Sequence, residues 1–451
     1  MSQKRQLHLG AVLRGAGGVG EHGVWRDAEV PVDASINIDY YIEQARLAEE
    51  AKFDLIFVVD SHYITPASPP HYLNRFEPFT VLSALATQTK NIGLVGTITT
   101  SFEEPFLVAR RFASLDLISR GRAGWNVVTS GDEGTAKLFG ISEHFDYEHR
   151  YTRAEEHVRL VQKLWDTYED DAFPRNTTTG EFLNPEKFHP VNHQGRHFQL
   201  EGPLNISRSQ QGQPVIFQAG DSEFGRNLGG SIGEGIFTHQ ATLQGAKAFR
   251  EDIRNRALQH GRNPNHLIIM PGIDVVVGDT DAQARELEKE IHRQDADFDK
   301  SLKQFGRSFG WHDFTQYDLD APFPDLTGLG DNSFKTRADA VRSRAREHGL
   351  TLRQVIEEFG TPQPSPFVGS PETVANLIQE WFENGGVDGF NIHYRTHRQF
   401  KRFTNEVLPI LRSRSIVRSD YESSTLRGNL GLPVPENQNT ANTRLAQQVF
   451  V

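Results

Sequence analysis

"PVIFQAGDSEFGRNLGGSIGEGIFTHQ", residues 214–240, contains two short apolar runs, PVIFQAG (214–220) and EGIFTHQ (234–240), around a mixed segment. The first run ends in Gly220, small polar residues follow, and a helix is expected to begin near Glu223 with Ser222 at its cap. The stretch therefore reads as strand, turn, helix, strand. The rhythm recurs along the chain: LHLGAVL (7–13), FDLIFVVD (53–60), IGLVGTITT (92–100), RAGWNVVTS (122–130), LIIMPGIDVVVG (267–278) and VDGFNIHY (387–394) complete a set of eight apolar runs. Amphipathic segments lie between them, as in 36–52, where Ile38, Tyr41, Ile42, Ala45 and Ala48 recur at helical spacing. Alternating strands and helices predict a parallel sheet, and eight units suit a closed (β/α)8 TIM barrel better than an open doubly wound sheet.

Two long stretches interrupt the rhythm, 169–213 and 297–368, and both are expected to be insertions in a single barrel spanning 1–414. Loops of that length are commonly functional covers. The polar segment 415–451 is expected to be a C-terminal extension that wraps a neighbouring subunit or is partly free.

The net charge of -11 argues against nucleic acid or an anionic membrane as partner. With no cysteine, disulfides, thiolate metal sites and Cys nucleophiles are excluded, which fits a reducing cytoplasm. The N-terminal residues lack a signal-peptide apolar core and no apolar run approaches 18 residues, so a cytoplasmic globular enzyme is expected. The eighteen histidines are scattered rather than set at ligand spacing, and no metal is expected.

Active residues of a barrel lie at the carboxyl ends of its strands. That rule selects Asp60, Thr97, Asn126, the Gly220-Asp221-Ser222 turn, His239 and His393, with His22 and His62 on adjacent loops. Such a mouth suits hydrogen bonding to a polyhydroxylated or heterocyclic cofactor, although Thr and Asn also cap helices and satisfy turns. Ser222 beside free helix N–H groups, with Arg226 near, forms an anion site suited to phosphate. A competing signal is RGAGGVGEHGVW (14–25), in which Gly15, Gly17 and Gly20 spell the dinucleotide fingerprint. No helical pattern follows Gly20 and the strand-ending acid, Asp60, comes too late, so these glycines are expected to form the first βα loop over the barrel mouth.

The block GRAGWNVVTS (121–130), with ARRFASLDLIS before it and EHRYTRAEEHVRLVQKLW after it, resembles the flavin-dependent monooxygenases of the bacterial-luciferase superfamily. The closest likeness is to the nitrilotriacetate, EDTA and dibenzothiophene-sulfone monooxygenase group. It extends through VGSPETVANLIQEWFENGGVDGFNI to YESSTLRGNLGL and is weakest over 297–365. The resemblance implies FMN used as FMNH2, supplied by a separate NAD(P)H-dependent flavin reductase, and O2 used to oxygenate a small organic substrate. It also implies a homodimer or homotetramer. Carried over position by position, Asp60 and Thr97 match flavin-contacting residues, Tyr151 matches the tyrosine of the R-Y-x-R-A block, and Ser222 matches the phosphate serine. Asn126 is placed within reach of the isoalloxazine. The chain departs from the group at Tyr147, where relatives carry His, at Asp221, where they carry a small residue, and at His239. Phe57, His62, Tyr63, Phe102, Phe217 and Phe237 offer aromatic surface, favouring an apolar or heteroaromatic substrate. Two alternatives are an F420-dependent oxidoreductase on the same barrel and a flavin-binding protein without oxygenase activity.

Overall fold

In the computed structural model, which describes residues 5–18, 20–360 and 364–449, all eight apolar runs form strands. They are β1 (His8–Val12), β2 (Leu55–Val58), β3 (Gly93–Thr99), β4 (Ala123–Val128), β5 (Val215–Gln218), β6 (Gly235–Thr238), β7 (Ile268–Asp274) and β8 (Gly389–His393). Neighbours in sequence are neighbours in the sheet, every pairing is parallel, and β8 closes on β1 through His8↔Gly389 to Ala11↔Ile392. The expected (β/α)8 barrel is present.

The helices that return the chain start on short polar caps, each worth about 1 kcal/mol. Asn37 caps α1 (Ile38–Glu50), Glu77 caps α2 (Pro78–Gln88), and α3 (Pro105–Ile118) follows β3. Asp146 caps α4 (Tyr147–Trp165), Ser222 caps α5 (Glu223–Ile232) and Thr242 caps α6 (Leu243–Gln259). Because each cap terminates a βα loop, the caps bring Asp, Ser and Thr side chains and free N–H groups to the carboxyl face. Among the described residues, no helix is long and apolar enough to cross a membrane.

The barrel interior is filled by Val12, Leu55, Phe57, Val95, Val215, Phe217, Ile268 and Met270. Phe57 and Phe217 meet edge to face at 6.1 Å. Gly235 leaves room for the Phe217 ring, which an added Cβ would strike. Part of the tail closes the floor. Leu426, Leu430 and Leu432 join this interior cluster and are 0–5 % exposed, so the tail plugs the bottom of its own barrel. Arg427 is fixed there by Glu234, and Arg418 by Asp54 at 2.6 Å.

Insertion 169–213 folds a hairpin, Val191–Gln194 with Gln199–Gly202, against α4, where Glu156 accepts from the backbone of His197 and Phe198. Insertion 297–368 has its own apolar cluster, including Phe305, Phe309, Phe314, Val341 and Ile356; residues 361–363 lie outside the described set. Two contacts fasten it to the mouth. Arg307 grips Asp132 with bonds of 2.6 and 2.9 Å, and Arg150 donates to Ser130 O (3.2 Å) and Asn332 O (2.7 Å).

His157 shows how this packing sets acid stability. It is buried on α4 beside Trp125, bonded to Glu103 O at 3.1 Å, and burial pulls its pKa down to about 3. The unfolded chain takes up that proton below about 6.5 while the native state refuses it until about 3. Stability from this residue is therefore complete above pH 6.5 and declines as pH falls between those values. Asp116, raised to about 6 by burial, works in the opposite sense, so the test is a difference. Urea unfolding of wild type should lose about 2 to 3 kcal/mol more between pH 6.5 and 4.5 than His157→Asn does. Parallel profiles would refute this assignment.

Candidate active site

The carboxyl face holds two cavities. The outer one, about 630 Å³, runs from Asp60 and Ser61 past Val127–Asp132 to Tyr147, Tyr151 and the Gln218–Ser222 turn. Insertion residues Arg307 and Ser333–Arg337 form its opposite wall. The inner one, about 320 Å³, is bounded by Arg14, Gly17, Gly18 and Glu21 of the first loop, His71, Tyr72 and Phe237, and Asp274, Asp295, His393 and Arg395. Among the described residues only His239 lines both.

At one end of the outer cavity Ser222 Oγ accepts from Gly225 N at 3.1 Å, which caps α5 and leaves the hydroxyl proton free to donate. The Tyr147 and Tyr151 rings lie 5.1 Å apart and line the cavity with Ser222. Burial, then Tyr151, raises the Tyr147 pKa, so it stays a neutral donor. An added Cβ on Gly220 would sit 2.8 Å from Gly225 Cα, so only glycine lets this turn approach the helix start. Asp221, the departure that threatened an anion here, turns aside: Thr238 Oγ1 donates to it at 3.3 Å and Arg226 lies 3.9 Å away. Burial raises its pKa, with Arg226 opposing.

At the other end Arg75, which sequence reasoning missed, holds Asp60 at 2.8 Å. Thr97 and Asn126 line neither cavity. Directly paired across β3 and β4, they lie one layer lower, with Asn126 Nδ2 donating to Thr97 Oγ1 (2.9 Å) and Thr97 Oγ1 donating to Val58 O (2.9 Å). Both are 4 % exposed, and among the described residues no donor reaches Asn126 Oδ1 or the buried Gln218 Oε1.

The inner cavity is charged. Arg14 pairs with Glu21 at 2.9 Å and Asp274 at 3.7 Å, Arg395 pairs with Asp295, and His393 Nδ1 lies 3.4 Å from Asp274. Burial, then Arg14, lowers the His393 pKa to about 4, and burial lowers that of His239. Both imidazoles are neutral near pH 7. The opening glycines sit in the first loop, with no helix at Gly20, and Gly17 and Gly18 line this cavity. His22 lines neither cavity; its loop is tied down by Gly23 N donating to Asp295 Oδ1 at 2.7 Å. Of the six aromatic side chains expected at the mouth, His62 lines the outer cavity and Phe237 the inner one, while Phe57 and Phe217 are barrel core.

A family model, described as luciferase-like monooxygenase, matches residues 19–389. The chain belongs to the luciferase-like monooxygenase family. Within that family it is 44 % identical over 442 residues to N-acetyl-S-(2-succino)cysteine monooxygenase of Bacillus subtilis (strain 168), covering 97 % of this chain and 99 % of the relative. It is 38 % identical over 455 residues to nitrilotriacetate monooxygenase component A of Aminobacter aminovorans, with the same coverage. Among solved structures, riboflavin lyase with modified FMN and substrate riboflavin superposes with a TM-score of 0.82 at 31 % identity, covering 96 % of this chain and 97 % of that one. As a luciferase-like monooxygenase, the chain has the fold and the family expected from its W-N-V-V-T-S block.

The residues of the outer cavity fit a flavin mononucleotide. A phosphate needs donors and a helix N-terminus, which Ser222, Tyr147, Tyr151 and α5 provide.

Proposed function

We propose that this protein is the oxygenase component of a two-component FMNH2-dependent monooxygenase, fed by a separate NAD(P)H-dependent flavin reductase. The observation that carries the reading is an outer cavity with Ser222 and the start of α5 at one end, which shares the wall residue His239 with a second cavity of about 320 Å³. Bound reduced FMN supplies the electrons that activate O2 for transfer of one oxygen atom to substrate. The chain's task is then to bind, orient and exclude water.

Ser222, Tyr147 and Tyr151 would anchor the phosphate, and Asp60, held by Arg75, would contact the opposite end. Asn126 and Thr97 support the floor beneath it. His239 and His393, both neutral, would position the substrate without adding charge, while the Arg14–Glu21 pair braces the first loop as a cover. The inner cavity is polar, with Arg14 and Arg395 each already paired to a carboxylate, and N-acetyl-S-(2-succino)cysteine, named for a relative 44 % identical to this chain, is the first substrate to try. The reading includes a cytoplasmic enzyme assembled as a homodimer or homotetramer, which light scattering on the purified protein checks.

Anaerobic titration of the purified protein with FMNH2 and with reduced F420 tests the cofactor. Tight FMNH2 binding with substrate-dependent O2 use is the expected result; reduction of substrate by F420, or flavin binding without turnover across a broad panel, would overturn the reading. Within it, Asn126→Ala should raise the share of O2 released as H2O2 several-fold, because the change removes the bond to Thr97 and opens a void beneath the cavity that loosens the seal. Unchanged coupling would remove Asn126 from the site.

A further inference from the structure

The inner and outer cavities share the wall residue His239, so a flavin that fills the outer cavity closes that side of the inner one. Another side is thin. A depression of about 250 Å³ in the protein surface, with Ala28, Glu29, Gln294 and Arg398 exposed on its rim, shares two wall residues with the inner cavity, Ile291 and Arg395.

This partition is held by one latch. Asp295 ends the helix Asp281–Asp295, and both its carboxylate oxygens take the Arg395 guanidinium, Nη2 reaching Oδ1 at 3.3 Å. The two side chains are 6 % and 2 % exposed, a buried ion pair. The same carboxylate accepts from Gly23 N of the first loop at 2.7 Å. An added Cβ on Gly23 would lie 2.7 Å from Gln294 O, so glycine lets that loop close against the helix end. The helix itself is lightly held. Of its fifteen residues only Ala284 and Asp295 are buried, and Leu287 and Ile291 rest on a small cluster of Val276, Ala284 and Val368 apart from the barrel core. Segments with few buried apolar contacts are those whose local opening costs least. Breaking the Asp295–Arg395 pair frees the helix end from the residue that follows β8.

We propose that substrate enters the inner cavity from this depression, past Ile291 and Arg395, by a doorway separate from the flavin's. The Asp295–Arg395 pair is its latch and sets how often it opens. The two residues therefore control access of the substrate and leave access of the flavin unchanged. This inference rests on the flavin reading above, which assigns the outer cavity to the cofactor.

The chain has no cysteine, so a single introduced thiol reports access without background. Val59→Cys places that thiol in the inner cavity wall. Its modification by methyl methanethiosulfonate is timed by mass spectrometry, with and without saturating FMN, in this background and with Asp295→Asn or Arg395→Gln added. Asparagine keeps the shape of Asp295 and the acceptor for Gly23 N while removing the charge. FMN should change the labelling rate by less than about 2-fold, and either latch variant should raise it about 10-fold with FMN bound. FMN association, followed by stopped-flow fluorescence, should stay within about 2-fold of the parent in both. Circular dichroism matching wild type qualifies a variant, and either one suffices. Labelling that FMN abolishes, latch variants that leave the rate unchanged, or FMN association that accelerates in step with labelling overturns the inference and leaves the flavin reading standing. Wild type that binds no FMN overturns the flavin reading itself, and the effect of the latch variants on flavin-free protein then decides the doorway.

Discussion

Ser222→Ala should weaken FMN binding by about 10- to 100-fold, the loss of one hydrogen bond to a charged group worth about 1.5–3 kcal/mol. Ser222 Oγ accepts from Gly225 N at 3.1 Å, so its proton is free for an acceptor in the cavity that it lines with Tyr147. Alanine removes the donor and releases the α5 cap. Riboflavin, which lacks the phosphate, should lose less than about 3-fold. Equilibrium titration of both flavins reads the difference directly. Equal losses for the two would place Ser222 in the fold rather than in the phosphate site, and no loss for either would remove the turn from the cofactor's surroundings.

The second large effect is on stability. Arg427→Met should destabilise the protein by about 3–5 kcal/mol, the usual result of stranding one charge of a buried pair. Arg427 is 1 % exposed; both its terminal nitrogens reach Glu234, one at 3.0 Å, and it also donates to Gln213 O at 3.1 Å and Pro433 O at 3.2 Å. Glu234 in turn accepts from Ile216 N at 3.0 Å, joining the tail to the starts of β5 and β6. Burial pushes the Glu234 carboxyl up, but Arg427 more than offsets it and holds it below its ordinary value. Without Arg427 the carboxylate stays beside the barrel floor with its direct ion-pair partner gone and only the weaker influence of Arg262 left. The double change Arg427→Met/Glu234→Met should recover a large part of the loss, because removing both charges costs less than removing one. Urea unfolding of the three proteins decides this; a single variant within about 1 kcal/mol of wild type would contradict the plug.

The eight strands were legible because each is a short run of β-branched and aliphatic residues punctuated by Gly, Asp, Ser or Thr, and the Ser222 cap announced itself by the same local chemistry. The tail was not. Its three core leucines are spread through polar sequence, and only the empty floor of a closed barrel explains why they are buried. The rule that active residues end strands selected strands whose ends border the two cavities. It could not distinguish Asp60 and His239, which line a cavity, from Thr97 and Asn126, whose side chains turn to each other one layer down. Of the inner cavity only His239, His393 and Phe237 were legible, because Arg14, Asp274 and Arg395 belong to three separate strand ends and leave no spacing to recognise. Arg75 escaped for a related reason: its place beside Asp60 depends on the path of the β2–α2 loop.

The most direct test of the account is a single-turnover reaction of the FMNH2-loaded protein with isotopically labelled O2 and the best substrate from the panel, followed by mass spectrometry of the product. One labelled oxygen atom in the product, and none when FMNH2 is omitted, is the expected result. Product whose new oxygen comes from water, or product formed without O2 by a deazaflavin, would contradict it.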